Sequence, residues 1–469
     1  MDKYKRLLSN TVIIAIGTFS SKVLVFLLMP LYTRVLTNAE YGDSDLILQT
    51  GNLLLPLVTM GMIEGVVRFG LDRRVRKTDV FSTGVGCTLI GFLVLLVFEP
   101  LITRIDFISP YTLLIYVFVL CSSLRTLSAQ FVRATGNVRL YAVNGILSTA
   151  FTIGFNVLFL VGLKMGVRGY LLAIICADAL STIFLFWRAK LYRYVRFRGL
   201  RLYTTGSMLR YSIPMIPTTL LWWITNVSDR YIVTYMSGSD ANGLYAVAYK
   251  IPSIIVLVCT IFLDAWQISA VTEEQARARF FTKVFRSYTA LVFLVSSVVI
   301  LFCKIIIRIL VSPEFYEAWK YVPFLILATV FNCLVSFLGS VYMVEKKSVR
   351  SLMTAAAGAA LNIGLNFLLI PKYGPNGAGF ATFLSYFLVY LLRARDATKF
   401  VKIRWSHLKM MVNSALITAQ CFVVVMEVQN WLVYEIALVG LIVIINVKEV
   451  LQNVQKILSS TLKRRQRRV

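Results

Sequence analysis

The sequence predicts an all-α polytopic membrane protein of about 14 transmembrane helices, built as two parallel six-helix lobes around a central cavity plus two C-terminal helices. Three observations lead there. The 469-residue chain is 58% hydrophobic, with a mean hydropathy of +0.75. So apolar a surface aggregates in water, which makes the bilayer the expected solvent. Apolar runs of about 20 residues, enough to cross the hydrocarbon as a helix, recur along the chain. The basic residues, behind a formal net charge of +27, fall in short clusters between those runs. That is the pattern of topology determinants rather than of a nucleic-acid surface.

The first six runs cover roughly 10–31, 45–67, 80–103, 111–133, 140–163 and 167–188. The next six cover roughly 208–236, 242–270, 285–311, 318–343, 351–370 and 377–394. Two more come at about 408–427 and 430–450, ahead of a basic tail. The lobes are accordingly 1–206 and 207–404, with 405–469 as the C-terminal addition. The first run comes after MDKYKR, is too long for a signal-peptide core and precedes no small-residue cleavage site, so it reads as a retained helix.

Alternating from a cytoplasmic N-terminus puts nearly every basic cluster on one side. Lys3, Lys5 and Arg6, Arg68 to Lys77, Arg133 and Arg139, and Arg188 to Arg201 fall inside, as do Arg277 to Arg286, Lys346 to Arg350, Arg393 to Lys409 and the tail. The outer loops keep little beyond Arg34, Arg104, Lys164, Arg168, Lys320 and Lys372. A miscounted helix would invert this bias downstream, and no inversion appears. Both termini are therefore expected in the cytoplasm, the tail resting on anionic lipid.

An internal repeat supports the lobes. GFNVLFLVGLKMGVRGYLLA from Gly154 resembles GLNFLLIPKYGPNGAGFA from Gly364, pairing Asn156 with Asn366, Gly166 with Gly374 and Gly169 with Gly377 at offsets of 208–210 residues. AEYGDSDL from Ala39 pairs more loosely with DANGLYAV from Asp240. A period near 200 residues spans six helices, an even number, so both halves enter the membrane alike.

Several chemistries are disfavoured. The single histidine, His407, lies in a basic loop, which leaves little for histidine catalysis. Seven cysteines stand far apart in apolar runs with no C-x-x-C pair, as small packing residues do. No phosphate-binding G-x-x-x-x-G-K-[ST] loop occurs. No cofactor, metal or nucleic acid is expected.

Charges inside membrane runs are functional candidates, because an ionised group there needs protein or a wet cavity around it. Lys22 lies about twelve residues into the first helix, without a neighbouring acid. Arg230 lies about six residues before the outer end of the seventh helix, and Lys250 about eight residues into the eighth. These three cations would line one cavity. Asp229, Asn226 and Trp223 stand beside Arg230, and Trp222, Tyr231 and Tyr249 add surfaces for stacking on sugar rings. Arg125 and Asp178 would form a second buried pair. Plainer readings stand beside these: Arg230 pairing with Asp229 or snorkelling, Glu64 and Arg68 as a local i, i+4 pair, Arg210 and Asp264 as interfacial groups, Tyr235 and Tyr245 as packing or belt residues. Pro214, Pro217 and Pro252 break the backbone in the same neighbourhood.

PLYTRVLTNAEYG (Pro30 to Gly42), GMIEGVVRFG (Gly61 to Gly70), SIPMIPTTLLWWITNVSDRYIV (Ser212 to Val233) and NGLYAVAYKIPS (Asn242 to Ser253) resemble the bacterial polysaccharide and O-antigen repeat-unit flippases of the multidrug/oligosaccharidyl-lipid/polysaccharide superfamily. The resemblance covers essentially the whole chain. It implies a non-enzymatic flippase of the bacterial cytoplasmic membrane, working by alternating access on an undecaprenyl-pyrophosphate-linked oligosaccharide. It also implies membrane lipids and polysaccharide polymerase machinery as partners. A pyrophosphate needs cations in a low-dielectric cavity, which suits Lys22, Arg230 and Lys250. Coupling to H⁺ or Na⁺ would fall to Asp178, Asp229 or Asp264. The rivals are a multidrug cation antiporter, a peptidoglycan-precursor flippase and a polysaccharide polymerase. The excess of deep cations argues against the first, and short outer loops against the last.

Overall fold

The computed structural model describes residues 26, 28–72, 74–104, 108–198, 201–272, 277–345, 347–401 and 406–466. Among them every regular element is helical and no strand occurs. The first expected helix lies mostly outside the described residues, and Lys22 with it.

After α1 (Met29–Val35), the chain enters α2 (Asn38–Val58) and α3 (Met62–Leu71), one run bent by 52°. The bend sits at Met60 and Gly61, both at positive φ. A side chain on Gly61 would run into the carbonyl of Ser212, so glycine serves both the turn and the close approach. Then come α4 (Lys77–Val97), α5 (Thr112–Ala134), α6 (Val138–Asn156) and α7 (Gly166–Arg188). The seventh expected helix is broken into α8 (Leu202–Ser212) and α9 (Ile216–Ser237) by a 3₁₀ turn at Ile213–Met215, which contains Pro214. The eighth divides into α10 (Ser239–Ala248) and α11 (Lys250–Thr272), with Pro252 in the first turn of α11. Proline is tolerated there because first-turn N–H groups have no partner in their own helix.

The remainder is α12 (Arg277–Leu301), α13 (Cys303–Leu310), α14 (Val322–Val344), α15 (Ser348–Ala397), α16 (His407–Val425) and α17 (Trp431–Gln466). The 50-residue α15 is two helices joined at Gly374, where φ is 56°. By length and hydropathy nine described helices can cross a membrane, ten with the bent pair, and Trp431–Val447 is a shorter apolar helix. Counting α15 as two crossings and restoring the interrupted seventh helix brings the number toward 14, which is an approximate figure. This is a polytopic helical membrane protein.

The chain groups into two compact units. One runs up to Tyr231 and takes in Gly238–Gly243; the other holds Ile232–Ser237 and the chain from Leu244 onward. Each contains one copy of the repeat, and the copies share local geometry. Gly166 and Gly374 both sit at φ 56°, and Asn156 and Asn366 are both fully buried. A Cβ on Gly169 would stand 3.1 Å from the carbonyl oxygen of Phe159, and one on Gly377 2.5 Å from that of Leu369. In both copies the chain turns at the first glycine and packs back on itself at the second.

Candidate functional site

The first cluster begins with how α2 starts. Thr37 and Glu40 form a capping box: Glu40 N donates to Thr37 Oγ1 at 3.2 Å, and Thr37 N to Glu40 Oε2 at 3.0 Å. That cap starts the helix at Asn38 rather than near 45, where the hydropathy reading began it, and sets Asp45 two turns inside. One turn after the cap, Gly42 has no room for a side chain against the carbonyl of Ser239, and Gly243 has none against the carbonyl of Asn38. The contact is reciprocal between the residues that the looser repeat pairs. Asn242 Nδ2 donates to Gly42 O at 3.0 Å.

This approach carries Asp45 to α9. Arg230 Nη1 stands 2.5 Å from Asp45 Oδ2, with the two side chains 8% and 5% exposed. Arg230 thus pairs with an acid 185 residues away, whereas Asp229 Oδ1 accepts from the Arg230 backbone N–H at 2.9 Å. Tyr231 and Thr50 share a hydroxyl–hydroxyl bond of 2.7 Å. Trp223 Nε1 donates to Gln49 O at 3.2 Å, its ring 5.7 Å from that of Tyr231. Asn226 Nδ2 donates within α9 to Trp222 O at 2.6 Å. Tyr32, Tyr41 and Tyr170 complete the surroundings: Tyr32 meets Tyr170 edge-on at 5.0 Å, and Tyr170 lies within electrostatic reach of Asp45 and Arg230. A salt bridge this dry holds only because each charge answers the other, and either one alone would be strongly destabilising.

The second cluster joins α5 to α7. Arg125 Nε lies 2.6 Å from Asp178 Oδ1, and the Ser122 hydroxyl donates to Asp178 Oδ2. The carboxylate is 7% exposed and the guanidine-bearing side chain 31%, so this pair reaches an edge of the unit. One turn along, Ser181 Oγ donates to Asn144 Oδ1 at 2.8 Å.

Lys250 belongs to the second unit. It is half-buried at the start of α11, next to Tyr249, whose ring meets fully buried Tyr245 edge-on at 5.5 Å. Tyr235 is 88% exposed, as a belt residue would be.

Buried charged side chains in the first unit, among the described residues, are Asp45, Asp79, Asp178, Asp229 and Arg230. Acids outnumber cations in that set, while Lys22 lies outside the described residues and Lys250 in the second unit. Short aspartates have no stem by which to reach the surface, whereas Lys and Arg extend toward polar surroundings. In the second unit Arg393, at the end of the run 377–394, is 1% exposed. It donates to Val335 O at 2.9 Å, Thr354 Oγ1 at 3.1 Å and Ser351 Oγ at 3.2 Å. Asp45 was missed because the hydropathy window left it at the mouth of a helix. The available signal was the AEYGDSDL match, which set that stretch against the start of α10.

The sequence matches the family described as polysaccharide biosynthesis protein over residues 7–267. The chain belongs to that family. No curated protein matches it. Among solved structures it is similar to "Lipid II flippase MurJ, inward closed conformation", with 14% identity, a TM-score of 0.72, and 94% of this chain and 99% of that one covered. It is also similar to an inward-facing multidrug resistance MATE family transporter of the MOP superfamily, with 12% identity, a TM-score of 0.67 and coverages of 82% and 98%. The outward-facing MATE conformation matches with 12% identity, a TM-score of 0.58 and coverages of 84% and 96%. The chain thus combines membership of the polysaccharide biosynthesis family with the fold of these solved structures.

Proposed function

We propose that the protein flips undecaprenyl-pyrophosphate-linked oligosaccharide repeat units from the cytoplasmic to the outer leaflet of a bacterial cytoplasmic membrane, for cell-surface polysaccharide assembly. The observation that carries this reading is the agreement of two likenesses: a polysaccharide biosynthesis family and the fold of a lipid II flippase over 94% of the chain. Lobes 1–206 and 207–404 would rock about the substrate, with both termini cytoplasmic and polymerase machinery receiving the product. Lys22, Arg230 and Lys250 would meet the pyrophosphate, while Trp223, Asn226 and Asp229 would face the sugars. Arg230 would exchange Asp45 for a phosphate oxygen, because a guanidinium accepts either as a bidentate partner. Arg125 and Asp178 would serve as a second polar contact, with Asp178 and Asp229 available for H⁺ or Na⁺ coupling. A pyrophosphate-linked peptidoglycan precursor would use the same groups.

A second reading has its own support. The buried acids Asp45, Asp178 and Asp229 in a MATE-like fold suit an antiporter that binds organic cations against H⁺ or Na⁺. The test is a liposome assay with a fluorescent lipid-linked oligosaccharide, tracking its appearance in the opposite leaflet. Wild type should flip it, and Lys22→Ala, or Arg230→Met combined with Asp45→Ala so that no acid is stranded, should slow flipping at least tenfold while remaining folded. Indifference to that lipid, with uptake of organic cations under an imposed proton gradient, would replace the flippase with the antiporter.

A further inference from the structure

The two C-terminal helices are zipped by three polar rungs. Lys409 pairs with Glu449 at one end. Asn413 and Asn446 come next: Asn413 Nδ2 donates to Asn446 Oδ1 at 3.2 Å, and Asn446 Nδ2 returns a bond to Asn413 Oδ1 at 2.8 Å. Two further turns along α16, Gln420 Nε2 donates to Glu435 Oε2 at 2.8 Å. Gln420 and Glu435 are both fully buried.

The middle rung is a closed ring of two hydrogen bonds. The Gln420–Glu435 rung sets a carboxyl against an amide and has only one bond, and the two oxygens left over, Gln420 Oε1 and Glu435 Oε1, are buried without a hydrogen-bond partner. Both are acceptors, so neither can satisfy the other as they stand. One proton between them can. An ionised carboxylate would moreover leave a charge in an apolar seam, where it costs several kcal/mol unless matched by a cation.

No such cation reaches it among the described residues. Lys304, on α13, is held by Glu427 at 2.7 Å and lies over the rings of Trp319 and Trp431 at 3.9 and 4.4 Å. Lys320 pairs with Glu317. Facing Glu435 from α13 and α16 are the thiols of Cys303 and Cys421. Cys421 Sγ donates to Pro323 O at 3.3 Å, so it is engaged elsewhere. The outer half of α12, from Leu291 to Leu301, contains no titratable residue, and neither does α14 before Cys333. On α17 itself the adjacent Tyr434 is 52% exposed.

We propose that Glu435 is a proton-binding site: in the folded chain its Oε1 carries a hydrogen that it donates to Gln420 Oε1, closing an acid–amide ring like the Asn413–Asn446 ring. The rung is then neutral, every polar atom in it is satisfied, and the helix pair is sealed without a buried charge. The site belongs to the second unit and the Arg230 and Arg125 clusters to the first, and it holds whether the transported substrate is a lipid-linked glycan or a cation.

Infrared difference spectra of the purified full-length protein in lipid at neutral pH test this. Subtracting Glu435→Gln from wild type should reveal one carboxylic-acid carbonyl band. Loss of carboxylate bands in its place would overturn the proposal. Gln420→Ala should shift that acid band by removing the proton's acceptor, and a band unmoved in this variant would overturn the ring. Thermal unfolding supplies a second readout. A carboxyl neutral when folded and ionised when unfolded stabilises fully at acid pH, and the gain disappears as pH rises. Wild type should therefore lose stability relative to Glu435→Gln as pH is raised, and parallel pH curves for the two would count against the bound proton.

Discussion

Arg230 and Arg393 are both buried in membrane helices, and the two units satisfy them in different ways. Arg230 faces a carboxylate from a distant helix, at 2.5 Å. The fork of Arg393 spreads over neutral oxygens of α14 and α15: a backbone carbonyl, a threonine and a serine, with the Tyr342 ring 5.6 Å away. The first arrangement is a point-to-point ion pair between two side chains, and under the proposed function a substrate anion would take the place of its partner. The second is a fork tied to a backbone carbonyl and short hydroxyls. A guanidinium on an exchangeable acid suits a transport step; one nailed to carbonyls suits a strut.

The largest effect should come from breaking the ion pair on one side only. Asp45→Ala leaves Arg230 buried and uncompensated and should cost about 3–5 kcal/mol in unfolding free energy. Asp45→Ala combined with Arg230→Met should recover much of that loss in a double-mutant cycle, and simple additivity would mean that the pair is not coupled. Arg393→Met strands the Val335 carbonyl and the hydroxyls around it, at about 1–3 kcal/mol per unsatisfied group, and its effect on flipping should track stability alone. Should it stop transport in a fully folded protein, the strut reading fails.

Next in size is the reciprocal glycine contact that brings Asp45 to Arg230. Gly42→Ala or Gly243→Ala would drive a methyl into a backbone carbonyl, which cannot rotate aside, and overpacking of this kind costs about 1–3 kcal/mol. Gly154→Ala meets open space and should be neutral or slightly stabilising in a thermal-shift measurement. The smallest effect concerns the exposed end of the second unit. The hydrogen bond from Lys304 holds the Glu427 carboxyl below its ordinary value. Its contribution is therefore present above the unfolded carboxylate range and lost as pH falls through the lowered value. With Glu427 57% exposed, Glu427→Gln should leave the neutral-pH melting temperature almost unchanged and flatten only the acid limb of the stability profile.

Much of this was legible before any coordinates. The apolar runs, the breaks near Pro214 and Pro252, and the glycines at 166, 169, 374 and 377 act through local properties: transfer of about 20 residues into lipid, a fixed proline φ, and a backbone that only glycine adopts cheaply. The Arg125–Asp178 pairing was also within reach, since two opposite charges at membrane depth have few alternatives. Asp45 escaped because a capping box, not hydropathy, sets where its helix begins. Arg393, at the end of the run 377–394, escaped because a basic residue beside other basic residues reads as part of a solvated cluster until its fork is seen among carbonyls.

The sequence by itself determined that this chain is a polytopic helical membrane protein, roughly where its apolar runs lie, and which family it resembles. Each of these arises from terms summed over neighbouring residues. Only the tertiary structure decided which charge answers which: Arg230 with Asp45, Arg393 with backbone and hydroxyl oxygens, Glu435 with Gln420. A buried charge depends on partners that are remote in sequence and must be within about 3 Å in space, a condition that hydropathy and spacing along the chain do not encode.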